Sequence, residues 1–193
     1  MTAAPPPQTR GFLFADLRGY SAFTERHGDR AARELLARYR RSVRDVIATF
    51  RGAEIRTEGD SFYVVFDSVS PAVRAGLAIL EKLAEPDPAP SQHPIVVGIG
   101  IHAGESEDSA EGIVSGAVNM AARICAQAQP GELLVSDTVR ALTRTYLDVT
   151  FVPRGRRRLK GIGEPVALFG VQAHSDGPNP SAAKRWRASA AYC

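Results

Sequence analysis

Residues 53–66 read AEIRTEGDSFYVVF, and this stretch decides the fold. Two strand-like runs, AEIRT and SFYVVF, are joined only through Glu58, Gly59 and Asp60, a connection too tight for anything but a hairpin. Upstream, a long helix is predicted from Asp29, a good N-cap. Ala32, Leu35, Leu36, Tyr39, Val43, Val46, Ile47 and Phe50 recur there at helical spacing, and Gly52 stops the run. Ahead of that helix, GFLFADL (residues 11–17) is an apolar strand, followed by a turn at Arg18 and Gly19 and a short helical stretch from Ser21 to about His27. Downstream, residues 69–84 form a second amphipathic helix, and IVVGIGIHAG (residues 95–104) is a nearly all-apolar buried strand. Residues 104–114 read as an acidic loop, and a third helix is expected from about Ala117 to Gln127. The chain closes with a strand at GELLVS, a short helix at SDTVRALTR, and strands at LDVTFVPR, RRRLKG and PVALFGV. The order βαββαβ with an added αβ end predicts an α+β, ferredoxin-like domain, its mixed and mainly antiparallel sheet carrying helices on one face.

The chain has 193 residues, 44% of them hydrophobic and 23% charged, which is enough for one ordinary core. Residues 1–10 and 174–193 are rich in Pro, Ser, Ala and Gly without apolar period, so both are expected to be disordered tails, the second one basic, flanking a domain over residues 11–173. The formal charge of +3 resides in those tails, at Arg10, Lys184, Arg185 and Arg187 against Asp176. The patterned region is neutral, which excludes nucleic acid as the expected partner. No apolar run approaches the roughly 20 residues of a membrane span. Cys125 and Cys193 make neither a disulfide framework nor a metal knuckle, so a reducing, cytoplasmic setting is expected.

Asp16 ends the first strand and Asp60 occupies the hairpin turn, and in a ferredoxin-like sheet these ends meet. Two carboxylates facing one pocket suit Mg²⁺ or Mn²⁺, which prefer carboxylates and phosphate oxygens to an all-protein cage. Taken singly, Asp16 reads as a helix cap and Asp60 as a turn former. Gly19, Tyr20 and Ser21 open a helix whose free N–H groups and dipole favour a phosphate. In GAVNMAARI, Asn119 and Arg123 lie four apart and share one helix face, while Val118, Ala121, Ala122 and Ile124 can pack inward. An amide can hold a sugar, and a guanidinium can stabilise charge on a phosphoryl group; a surface Arg paired with an acid is the plainer alternative. His27, His93, His102 and His174 are scattered singly and predict no zinc site.

FADLRGYSAF, RTEGDSF, VNMAAR and RRLKGIGEPVALF, in that order, resemble the class III adenylyl and guanylyl cyclase catalytic domain from Gly11 to about Val171. The resemblance implies that Asp16 and Asp60, with the backbone carbonyl of Leu17, hold two Mg²⁺ or Mn²⁺ ions, that Asn119 orients the ribose of a nucleoside triphosphate, and that Arg123 offsets transition-state charge. It also implies that Lys160 contacts the terminal phosphates, although an exposed basic edge strand from Arg154 to Lys160 is the alternative. It further implies a head-to-tail homodimer, with the metals from one chain and Asn and Arg from the other. The chain departs from the family at base recognition. Arg56 and Gly112 stand where adenylyl cyclases commonly carry Lys and Asp, leaving Glu111, Ser115 or backbone carbonyls to accept from adenine. ATP is the expected substrate, with GTP or a pyrimidine triphosphate as alternatives, and Glu58 is positioned in sequence to pair with Arg56 instead. A catalytically silent nucleotide-binding or dimerisation module is the rival function.

Overall fold

The computed structural model describes residues 8–85, 93–106, 108–109, 112–113 and 116–174. In chain order the elements are β1 (Gln8–Leu17), α1 (Tyr20–Thr49), β2 (Ala53–Glu58), β3 (Ser61–Phe66), α2 (Val69–Ala84), β4 (Val97–Ser106), β5 (Asp108–Ser109), β6 (Gly112–Ile113), α3 (Gly116–Gln127), β7 (Glu132–Ser136), α4 (Asp137–Thr143), β8 (Val149–Arg157) and β9 (Val166–Ala173). The expected hairpin is β2–β3, paired antiparallel from Glu58 opposite Ser61 to Ala53 opposite Val65, with a bulge between Glu54 and Arg56. Seven strands form one sheet in the order β2-β3-β1-β4-β7-β9-β8, and every pairing is antiparallel except β4 with β7. β5 and β6 make a separate two-stranded ladder. The α+β class and the ferredoxin-like order are therefore present.

Several boundaries differ from the sequence reading. β1 opens at Gln8, so residues 8–10 are not tail; they pair with Gly104, Glu105 and Ser106, which extend β4 into the predicted acidic loop. Residues 1–7 and 175–193 of the expected tails lie outside the described residues. The two predicted N-terminal helices, by contrast, are both present within α1, divided where expected by non-helical Gly28, whose φ of 78° only glycine adopts easily. α1 ends in a Schellman arrangement: Gly52 N–H donates to the Ile47 carbonyl at 2.9 Å and Arg51, at φ 56°, donates to the Ala48 carbonyl at 3.3 Å. Gly52 is needed for space, because a Cβ there would meet the Phe66 ring at 2.7 Å. RRRLKG is not a strand of its own: β8 ends at Arg157, and Leu159 and Lys160 lie in the turn that follows.

The helices do not share one face of the sheet, and β4 explains why. Side chains alternate along a strand. Val97, Ile99, Ile101 and Ala103 of β4 join Leu13, Ala15 and Leu17 of β1 in a core with the buried stripe of α1 and with Val69, Val73 and Ile79 of α2. The intervening positions are Gly98, Gly100, His102 and Gly104. A Cβ on Gly100 would lie 2.1 Å from the Cys125 nitrogen, and one on Gly104 would lie 2.6 Å from the Ala117 Cβ. The glycines let α3 settle directly on the opposite face, its Ala117 and Ala121 against Phe12, Tyr63 and Val65. Its far end, through Ile124, packs with Ala128 just beyond the helix on Leu134, Leu159 and Leu168.

Candidate active site

Strand register brings the two predicted carboxylates together. Asp16 stands opposite Ser61 in the β1–β3 ladder, and Asp60 immediately precedes Ser61 in the hairpin turn. The carboxyl of Asp16 is held above the usual carboxylate range, chiefly because burial disfavours its charge and then because the charge of Asp60 is close; Arg18 opposes both. Two neighbouring carboxylates offer hard oxygens, the donor chemistry that a divalent cation takes. Among the described residues no cluster of three or more His, Cys, Asp or Glu could hold a metal alone. A divalent ion there fits only if backbone oxygens, such as that of Leu17, and ligand phosphate oxygens complete its shell, which is the usual manner for Mg²⁺.

Beside the acids, Gly19 caps α1 in a left-handed conformation, φ 74°, and lends no side chain to the first turn. Ser21 is exposed and Tyr20 packs against the main core, and the first N–H groups of α1 are those that a helix leaves without an intrahelical acceptor.

Arg18 is the residue that motif reading passed over. One terminal nitrogen donates to Oδ2 of Asp16 at 3.1 Å and the other to the Cys125 carbonyl at 2.5 Å, in the last turn of α3. The side chain crosses Gly98, where a Cβ would fall 2.1 Å from the guanidinium. Cys125 is a buried free thiol, pushed up to about 12 chiefly by burial, that donates to the Gly98 carbonyl at 3.3 Å. It is a packing residue, not a nucleophile.

Asn119 and Arg123 are both exposed on α3, while Ala117, Ala121, Ile124 and Cys125 are buried. Their shared face points away from the sheet that carries the acids. Lys160 is exposed in the turn after β8, and β8 and β9 lie beyond β4 and β7 from β1, so Lys160 is not gathered with Asp16 and Asp60 within one chain. Arg56 faces the same side of the sheet as Tyr63 and Phe14, its ladder neighbours, whose rings stack at 4.8 Å and 5°. Glu58 does pair with Arg56, at 3.4 Å, but their side chains are 69% and 74% exposed, so the pair holds Arg56 weakly. Gly112 lies in β6 opposite Ser109, while Glu111 and Ser115 lie outside the described residues. The histidines are less isolated than their spacing implied. His27 and His93 approach to 4.3 Å between ring centroids beside Phe23, and His102 Nδ1 lies 2.7 Å from the Ser136 hydroxyl.

Residues 3–172 match the family described as Adenylate and Guanylate cyclase catalytic domain. A putative adenylate cyclase 3 of Rhizobium meliloti is 29% identical over 158 residues, 81% of this chain and 27% of that protein. An adenylate cyclase of Glutamicibacter nicotianae is 28% identical over 139 residues, 72% of this chain and 33% of that protein. The chain thus spans about a third or less of the length of these two relatives. Among solved structures, the adenylyl cyclase CyaB from P. aeruginosa superposes with a TM-score of 0.75 at 20% identity, covering 90% of this chain and 98% of that one. The guanylate cyclase domain of RhGC from Catenaria anguillulae, in complex with GTP, gives 0.76 at 17% identity, covering 86% and 97%. At those identities the likeness is one of fold. No helix among the described residues is long and apolar enough to cross a membrane.

Proposed function

The chain belongs to the adenylate and guanylate cyclase catalytic-domain family, and from that premise we propose that it converts a nucleoside triphosphate to its 3′,5′-cyclic nucleotide and pyrophosphate, for intracellular signalling. The observation that carries this reading is the meeting of Asp16 and Asp60 at the end of β1, beside the open first turn of α1. Mg²⁺ or Mn²⁺ bound there would acidify the ribose 3′-hydroxyl and neutralise the β- and γ-phosphates. Asp16, Asp60 and the Leu17 carbonyl would hold such an ion. The N–H groups at Gly19, Tyr20 and Ser21 donate to phosphate oxygens. Asn119 orients the ribose for in-line attack of the 3′-oxygen on the α-phosphorus. Arg123 then stabilises the negative charge that accumulates as the bond to the leaving pyrophosphate breaks.

Asn119 and Arg123 are exposed on the α3 face and make no contact with the acids of their own chain among the described residues, which favours a homodimer in which each chain completes the other's site. Lys160, standing apart from Asp16 in the same way, belongs with the terminal phosphates in that arrangement. ATP is placed first because relatives named as adenylate cyclases match most of the chain. Arg56, a pure donor, fits guanine O6 or a pyrimidine carbonyl, and this observation keeps GTP and the pyrimidine triphosphates as alternatives. The test is incubation of the purified protein with Mn²⁺ and each of the four triphosphates, followed by separation of products. A cyclic nucleotide from at least one is expected. None from any would leave the silent nucleotide-binding or dimerisation module in its place.

A further inference from the structure

Arg18 stands between the two halves of the chemistry. Its position is over-determined: the backbone N–H donates to the Val96 carbonyl at 2.8 Å, and the guanidinium is pinned at one end to Asp16 and at the other to Cys125. The side chain is only 20% exposed, and its Nε is buried without a partner. The Cys125 carbonyl belongs to the last turn of α3, where the helix dipole also favours a cation. Gly98 leaves the space the guanidinium fills. This positive charge is therefore fixed beside the acidic pair and already engages one carboxylate oxygen of Asp16, Oδ2.

We propose that Arg18 sets the affinity of the Asp16–Asp60 pair for divalent cations, acting as a built-in counter-charge that an incoming ion must displace from Asp16. This rests on the reading of Asp16 and Asp60 as cation ligands. The sign distinguishes the role from that of an orienting partner. Removing a residue that merely holds a ligand in position weakens metal binding, whereas removing a competing charge strengthens it. Displacement of the guanidinium from Asp16 would also alter its grip on the Cys125 carbonyl, so that occupancy of the acidic pair is felt in the last turn of the helix bearing Asn119 and Arg123.

The test is Mn²⁺ binding to the full chain without nucleotide, read from the electron paramagnetic resonance signal of free Mn²⁺, for the unsubstituted protein, Arg18→Met, Arg18→Lys and Asp16→Asn. Arg18→Met keeps the apolar stem and removes the charge, and should bind Mn²⁺ about tenfold more tightly. Arg18→Lys keeps a charge that cannot reach both acceptors, and should fall between the two. Should Arg18→Met not fold, Gly98→Ala replaces it: its Cβ pushes the guanidinium aside without altering a charge, and it too should bind more tightly. Thermal melts in EDTA and in Mn²⁺ give a second reading, with a larger Mn²⁺-induced rise for Arg18→Met than for the unsubstituted chain. Equal or weaker Mn²⁺ binding by folded Arg18→Met would overturn the proposal. Undiminished binding by Asp16→Asn would remove the ligand reading beneath it, and the proposal with it.

Discussion

Lowering the pH from about 7.5 to about 5 should cost the fold about 2 kcal/mol through one side chain, His102. Its ring lies on the α3 face of β4, and burial pushes its imidazole down to about 4. The Ser136 hydroxyl accepts from the Val139 N–H at the start of α4 and lies 2.7 Å from Nδ1 of His102. A protonated ring would carry its charge into that buried position, where water cannot solvate it. In the unfolded chain the imidazole titrates near its ordinary value of about 6.5, so between about 4 and 6.5 the unfolded state binds more protons than the folded one. The contribution is complete above about 6.5 and is lost as pH falls toward about 4; the two values give about 2 kcal/mol by pH 5. Urea denaturation at both pH values, on the unsubstituted protein and on His102→Gln, measures it. Carboxylates elsewhere contribute equally to both proteins and cancel in the difference. The substituted protein should lose less stability between the two pH values by about that amount. An identical loss in both proteins would refute the reasoning.

Gly100→Ala should destabilise the fold by about 3 kcal/mol, since its Cβ would collide with the backbone of α3 at Cys125 and no flexible side chain can yield. Gly116→Ala, with nothing within 4 Å of the new Cβ, should leave the melting temperature nearly unchanged. Asp16→Ala and Arg123→Ala should each abolish cyclic nucleotide formation alone, and an equimolar mixture should recover activity through dimers holding one intact site; a mixture as inactive as its components would count against the shared site. Asp60→Asn should eliminate turnover while preserving the melting temperature, because it removes a partly exposed anion that opposes ionisation of Asp16. A large fall in melting temperature would mark Asp60 as a structural residue instead.

The periodic elements were legible because a single physical rule governs each. The apolar stripe of α1 repeats at helical spacing over Ala32, Leu35, Tyr39, Val43, Val46 and Ile47, and the same six residues are buried. The β2–β3 hairpin was legible because three residues cannot connect two strands in any other way, and its register placed Asp60 beside Asp16. The side of the sheet on which α3 packs was not legible. In an apolar run, glycines at alternate positions read only as weak strand formers, and that they leave room for a helix is a fact about what lies above them. Arg18 was hidden for a related reason: next to Gly19 it looks like a turn residue, and its acceptor at Cys125 is 107 positions away. The spacing of the histidines likewise gave no sign that His27 and His93 would lie in contact.

The division of the apolar interior into a large layer beneath α1 and α2 and two small groups beneath α3 has a dynamic consequence. α3 seats Ala117, Ala121, Ile124 and Cys125, with Val118 and Met120 at their edges, over bare glycine and apart from the large layer, so it should be able to open as a unit while that layer stays packed. Amide protons of α3 should then exchange with solvent sooner than those of β1, β3 and α2, through openings smaller than global unfolding. The segment bearing Asn119 and Arg123 would then move as one piece, carrying both side chains with it.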